Sequence, residues 1–266
     1  MGEDFPAALR GWRSRRRLSQ LELAARAGTT QRHVSFLERG RSAPGRPLVV
    51  RLAEALEVPL RERNQLLLTA GYAPAYADAP LGDARYAAVR DALERVLRGH
   101  LPYPAMVVDR YARLVSANRA FWTLTGDAAP ELRQEPVNVA RLLLDPRGLA
   151  PAIVNFAEWA RHVVDAMRRQ ADHTPDPALD ELVASLEPLV PPAAERLGPD
   201  HVGFAVPLRL RRGDGELRLM TTLAHFGTAV DVAVSELRLE AFLPADDATA
   251  ELLADLDRAA ASRLRQ

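Results

Sequence analysis

Residues 18–40 read LSQLELAARAGTTQRHVSFLERG, and this stretch decides the fold of the first part of the chain. Ser19 is placed to cap a helix, with Glu22 three residues on, able to reach back to the Ser19 amide as a capping box. Leu21, Leu23, Ala24 and Ala25 give that helix an apolar side. Ala27-Gly28-Thr29 then interrupts it, glycine supplying a backbone conformation that other residues resist. Thr30 is placed to cap a second helix, Val34 and Leu37 share one of its faces, and Gly40 stands where a helix stops. Two helices this short cannot bury themselves alone. They need Leu9 and Trp12 ahead of them and Leu48, Leu52, Ala53 and Leu56 behind them. An all-α domain of five helices is expected, closed by helices at 47–56 and 61–70, the second ended by Gly71.

What this packing leaves outside is polar: Gln31, Arg32 and Ser35. Glutamine pairs bidentately with adenine, arginine with guanine, and serine with several base edges or a phosphate, while a helix N-terminus offers free amides to a sugar-phosphate backbone. Gln20, opening the preceding helix, is placed against a phosphate. Charge agrees. Residues 1–76 hold 13 arginines against seven acidic residues, the remainder 22 arginines against 28, and no lysine occurs in the 266 residues. The neutral chain is thus a basic part joined to an acidic one, as expected when one part faces nucleic acid.

Residues Asp4 to about Tyr76 resemble the DNA-binding domain of the Cro/phage-repressor (XRE) class of bacterial regulators. The resemblance is carried by LSQ at 18–20, LA at 23–24, AGTTQ at 27–31 and LERG at 37–40. It implies an ion pair between Arg13 of the first helix and Glu38 of the recognition helix. Phe36 departs from the pattern, standing where related proteins often carry a polar base reader; it either touches a thymine methyl or packs under the next loop. The candidate DNA-contacting residues are Gln20, Gln31, Arg32, Ser35, Phe36 and Arg41. The domain is expected at 1–72.

With no cysteine, the chain excludes disulfides, thiol catalysis and thiolate metal sites. No run approaches the roughly 20 apolar residues of a membrane span, nor does the N-terminus read as a signal peptide. A cytoplasmic protein with no membrane partner is expected. Residues 73–82, with prolines at 74 and 80, read as a linker.

The segment 83–266 changes rhythm. Val89, Leu93, Val96 and Leu97 repeat at helical spacing, in a helix that could bridge the two domains. Residues 105–109 and 113–117 are two short strands around a turn, and Asn118 opens a helix. Ile153, Phe156, Ala160, Val163, Val164 and Met167 form one apolar stripe, and Leu179, Leu182, Val183 and Leu186 another. Phe204, Val206, Leu208 and Leu210 alternate along a strand. Gly213-Asp214-Gly215 makes a hairpin turn, Leu217 to Leu223 return, and Leu237, Leu239, Ala241 and Leu243 alternate again. An α+β domain with an antiparallel sheet of about five strands and helices against one face is expected.

PAMVVDRYARLVSANRAFWTLTG at 104–126 is similar to the opening of a PAS domain. LLLDPRG at 142–148, NFAEWARHVVDAMR at 155–168 and the order of elements resemble the ligand-binding domain of MmyB-like regulators. Where many relatives have a tryptophan just before the asparagine, this chain has Ser116-Ala117. The resemblance implies a PAS-like sensor holding a fatty acid or other small apolar ligand, with no further cofactor. Candidate pocket residues are Trp122, Phe156, Trp159, His162, Val163, Phe204, His225 and Phe226. The aromatic members fit a solid core as well as a cavity wall.

His162 and His225 lack the spacing of a metal motif, and no nucleophile elbow, phosphate loop or dinucleotide fingerprint is present. No metal site and no enzyme activity are expected. Asp180/Glu181 and Asp246/Asp247 read as solvated faces or helix caps. The function implied is that of a homodimeric, sequence-specific regulator of transcription, bound to a double-stranded operator and responsive to a small apolar ligand. The alternative is a second domain that binds a protein partner. Dimerisation is expected to depend on the region after the linker.

Overall fold

A computed structural model describes residues 4–174, 176–192, 206–213, 215–226 and 231–263. Helices α1 (Phe5–Arg15), α2 (Gln20–Arg26), α3 (Gln31–Glu38), α4 (Arg46–Ala55) and α5 (Leu60–Thr69) come first. Then follow α6 (Ala87–Gly99), β1 (Ala105–Val108), β2 (Leu114–Ala117), α7 (Arg119–Leu124) and α8 (Val139–Leu144). The chain continues with α9 (Phe156–His173), α10 (Pro177–Leu186), β3 (Leu208–Arg212) and β4 (Gly215–His225). It closes with α11 (Val232–Ser235), β5 (Arg238–Pro244) and α12 (Asp247–Arg263). Two compact units result, one of residues 1–80 with 227–235, the other of 81–226 with 236–266. Among the described residues no helix is long and apolar enough to cross a membrane.

The first unit is the expected five-helix domain. Phe5, Ala8, Leu9 and Trp12 share the buried face of α1 at i, i+3, i+4 and i+7. They meet Leu23 and Ala24 of α2, Val34 and Leu37 of α3, Leu48, Val49, Leu52 and Ala53 of α4, and Leu66 and Leu67 of α5. The apolar side of α2 is narrower than its sequence suggests. Leu21 is 61% exposed and Ala25 is exposed, because a seven-residue helix wedged between α3 and α4 offers one short stripe to the core. The segment read as a linker is held to this unit. Asn64 Oδ1 accepts the Ala75 and Tyr76 amides, Asn64 Nδ2 donates to the Tyr76 carbonyl, and Arg61 grips Asp78. Later in the chain Val232 opens α11, is buried, and donates its amide to the Ala77 carbonyl at 2.9 Å.

The second unit is built on a five-stranded antiparallel sheet of order β2-β1-β5-β4-β3. Helices cover both of its faces, where one covered face was expected. Ala105 and Val107 of β1, Leu237 just ahead of β5, and Leu239 and Ala241 within it pack on Leu93 and Leu97 of α6. α6 is therefore part of this unit's core, Leu93 and Leu97 packing on the sheet while Val96 stays exposed. On the other face Met106, Val108, Leu208, Leu210, Leu217, Leu219 and Phe242 meet helices α7 to α10. β1, sandwiched between, is buried along its whole length.

Two polar residues fix the corner between helix and sheet. Asp109 Oδ1 accepts the Tyr111 and Arg113 amides at 2.8 and 2.9 Å, closing the β1–β2 turn around Ala112 at φ +57°. Asn118 is buried with all its hydrogen-bonding capacity used. Its Oδ1 accepts the Phe121 and Ala105 amides, and its Nδ2 donates to the Leu97 and Tyr103 carbonyls. One amide side chain thus caps α7 and ties it to α6 and β1. At the β3–β4 hairpin Arg212 pairs with Gly215 and Gly213 stands at φ +57°; Asp214 of the expected turn lies outside the described residues.

Candidate functional site

Local sequence sets the DNA-reading helix. The capping box at α2 is present in both directions, Ser19 N–H to Glu22 Oε2 at 2.7 Å and Glu22 N–H to Ser19 Oγ at 3.1 Å. Accepting that amide holds the exposed Glu22 carboxyl below the usual carboxylate range. Gly28 and Gly40 take φ +63° and +67°, which lets the chain turn into α3 and leave it. Thr30 Oγ1 accepts the His33 amide, so the first turn of α3 is capped and Gln31 and Arg32 are carried outward, both exposed.

Behind that face lies an ionic anchor. Arg13 Nε and Nη2 meet Glu38 Oε1 and Oε2 at 2.6 and 3.1 Å, with the Glu38 side chain only 3% exposed. Arg10 donates to the Glu38 carbonyl and Gln20 Nε2 to Glu38 Oε2 at 2.7 Å. The Gln20 side chain is therefore oriented by Glu38 at the start of α2, alongside the position given it by sequence. Ser35 is half-buried and Arg41 exposed. Phe36 is half-buried, and the Arg32 guanidinium lies 5.2 Å from its ring centre. A cation resting on an aromatic face loses rotamer freedom, so Phe36 positions the base-reading candidate beside it.

In the second unit a cavity of about 290 Å³ lies between the sheet and α9, open at one side. Its closed end is lined by buried Val108, Ala112, Val139, Ala140, Leu143 and Phe242. Trp159, Val163 and Met167 supply the α9 wall, while His162, Ala166 and Leu223 stand exposed at the mouth. Thr221 and Phe242 face each other across β4 and β5, as do Leu223 and Glu240 one step on. Arg238 and Glu240 complete the polar part of the wall, Arg238 Nε donating to Glu240 Oε1 at 2.7 Å with Nη2 2.6 Å from the same oxygen.

Of the described residues singled out from sequence, Trp159, His162 and Val163 line this cavity, and Trp122, Phe156, His225 and Phe226 do not. Trp122 stands edge-on to Phe121 with its ring near Arg133, and Phe156 packs against the solid part of the core. His225 is exposed at the end of β4, and Phe226, of opposite parity, joins the α6 side of the sheet. Phe204 lies outside the described residues. Sequence reading missed the β5 members Arg238, Glu240 and Phe242, the α8 members Val139, Ala140 and Leu143, and Val108, Ala112 and Thr221. The signal for β5 was its second parity. Its apolar set faces α6, so the intervening residues had to face the other layer.

Beyond the cavity runs a polar cluster. Arg110 bonds Asp176 and Glu236 at 3.0 Å each, and Tyr111 donates its hydroxyl to Asp176 at 2.9 Å. Burial and that bond hold the Tyr111 hydroxyl above the usual tyrosine range. Gln170 on α9 donates to the Arg110 carbonyl and accepts from Arg238 at 3.4 Å, so the cluster touches the polar end of the cavity wall.

Comparison with known proteins bears on both units. Residues 9–63 match a helix-turn-helix family model. The chain is 41% identical over 58 residues, 22% of its own length, to the HTH-type transcriptional regulator y4dL of Sinorhizobium fredii. It spans 30% of that relative's length. A further model matches residues 89–256, and on that match the chain belongs to the family of the MmyB-like transcription regulator ligand binding domain.

Proposed function

We propose that the chain is a sequence-specific transcription regulator that works as a homodimer and responds to a small, largely apolar ligand. The observation that carries this reading is the cavity of about 290 Å³ with a wall dominated by aliphatic and aromatic side chains, in the same chain as a capped, arginine-bearing recognition helix. A volume near 300 Å³ with a few convergent polar groups suits a small molecule. A single recognition helix covers one half-site, so two copies on a pseudo-palindrome with half-sites about 34 Å apart, or a multiple of that, provide useful specificity. The ligand acts by binding one arrangement of the dimer more tightly than the other, and shifts the balance by that difference alone. It is bound and not converted, in the cytoplasm.

The test begins with selection of an operator from random duplexes by the purified full chain. Sedimentation should give a dimer, and the selected sequence should show two-fold symmetry. Native mass spectrometry should then reveal a co-purifying small molecule, whose removal changes operator affinity. A monomer selecting asymmetric sites, or operator binding indifferent to every apolar small molecule and altered by a protein partner, would overturn the reading.

A further inference from the structure

The polar end of the cavity carries a charge balance that discriminates among amphiphiles, and this step rests on the ligand reading above. Arg238 and Glu240 both face the cavity from β5, with side chains 21% and 15% exposed. They are already paired, and two guanidinium nitrogens converge on one oxygen, Glu240 Oε1. Among the described residues this leaves Glu240 Oε2 able to accept a further hydrogen bond. Among the described residues Arg238 Nη1 has the long contact to Gln170 Oε1, at 3.4 Å, and can donate a shorter one. The remaining polar members of the wall are Thr221 and His162, the latter exposed at the mouth. Arg110, next along the polar cluster, is itself paired with Asp176 and Glu236.

We infer that the ligand's head is a neutral group that both donates and accepts, such as a carboxamide, its carbonyl receiving Arg238 Nη1 and its N–H reaching Glu240 Oε2, with the chain lying against Val139, Leu143, Val163 and Phe242. A carboxylate placed there meets Glu240 as a like charge and must pull Arg238 from its partner. An ammonium meets Arg238 in the same way. In a partly desolvated site, uncompensated charge is costly, whereas a neutral donor–acceptor group leaves the pair intact and adds two hydrogen bonds.

Three probes of one chain length test this on the full-length protein: decanamide, decanoate and decylamine, titrated at neutral pH by calorimetry. Decanamide is expected to bind about tenfold or more tighter than either ion. Glu240→Gln frees Arg238 from its carboxylate and is expected to reverse the order, with decanoate gaining about tenfold while decanamide changes less. Should decanoate match or exceed decanamide on the unaltered chain, or should Glu240→Gln leave the ratio unchanged, the neutral-head assignment is overturned while the apolar-ligand reading stands. If none of the three binds, the apolar-ligand reading itself falls, and this inference with it.

Discussion

Glu38 receives Arg13 through two hydrogen bonds and Gln20 through a third, so a buried carboxylate on the recognition helix orients residues of both helices before it. The DNA-reading surface is thereby tied to the core of its unit. Removing one partner of such a pair strands the other charge away from water. Glu38→Ala should destabilise the unit by about 3 kcal/mol, read as a lowered thermal midpoint, and should weaken operator binding although the residue touches no DNA. An unchanged midpoint would show the pair to be dispensable.

Gln31 and Arg32 are exposed at the start of α3, and alanine at either position should cost roughly 1–3 kcal/mol at the selected operator with little change on random duplex. Phe36→Ala, which removes the ring beneath Arg32, should produce part of the Arg32→Ala effect and little in an Arg32→Ala background. Anisotropy titrations on both DNAs check this. Equal losses on operator and random sequence would assign these side chains to phosphates.

Asn118 supplies four hydrogen bonds from a buried position where three elements meet. Asn118→Ala should cost about 3 kcal/mol or more, since it leaves buried amides and carbonyls without partners. Asn118→Asp should be still worse at neutral pH, where a carboxylate faces the Leu97 and Tyr103 carbonyls, and should recover on acidification as the acid becomes a donor. Denaturant unfolding at neutral and acid pH separates the two variants.

Asp246 caps α12 by accepting the Thr249 amide at 2.7 Å, and the Thr249 hydroxyl and amide together hold its carboxyl below the usual carboxylate range. A carboxyl lowered on folding contributes stability above its unfolded value and loses it as pH falls toward the folded one. Asp246→Ala should thus cost about 1 kcal/mol at neutral pH. The gap to the unaltered chain should close as the pH is taken below the ordinary aspartate range, as thermal melts across that range will show. A gap constant with pH would mean that the ionised cap contributes nothing.

Val163 lines the cavity from α9 and is only half-buried. Val163→Trp should fill the space with a small loss of stability and abolish any ligand effect on operator binding. A loss of roughly 1–3 kcal/mol or more would instead be the signature of overpacking.

The helical unit was legible almost residue by residue, because each of its decisions is local. A serine and a glutamate three apart make a capping box, a threonine caps the next helix, and two glycines take left-handed backbone where the chain must turn. The sensor pocket was not, because hydrophobic periodicity reports where packing is tightest and a cavity is where packing stops. Leu237, Leu239, Ala241 and Leu243 advertise the α6 face of β5, while the face that lines the cavity carries an arginine, a glutamate and one phenylalanine. Large aromatics were a mixed guide: Trp122 and Phe156 pack half-buried against the core, while Trp159 lines the cavity. The Arg13–Glu38 pair, twenty-five residues apart, is a fact of tertiary structure that family resemblance alone could suggest.

The buried Val232, with its amide on the Ala77 carbonyl, sets a rule for anyone recombining this protein. Its helical unit is discontinuous in the gene, since a few codons lying between two sheet strands of the sensor encode part of it. A chimera joined at residue 80 alone takes the reading head without that piece and leaves the Ala77 carbonyl lacking its donor. One that also transplants residues 231–235 keeps the head whole, and the two grafts should differ in melting temperature when placed on the same foreign sensor.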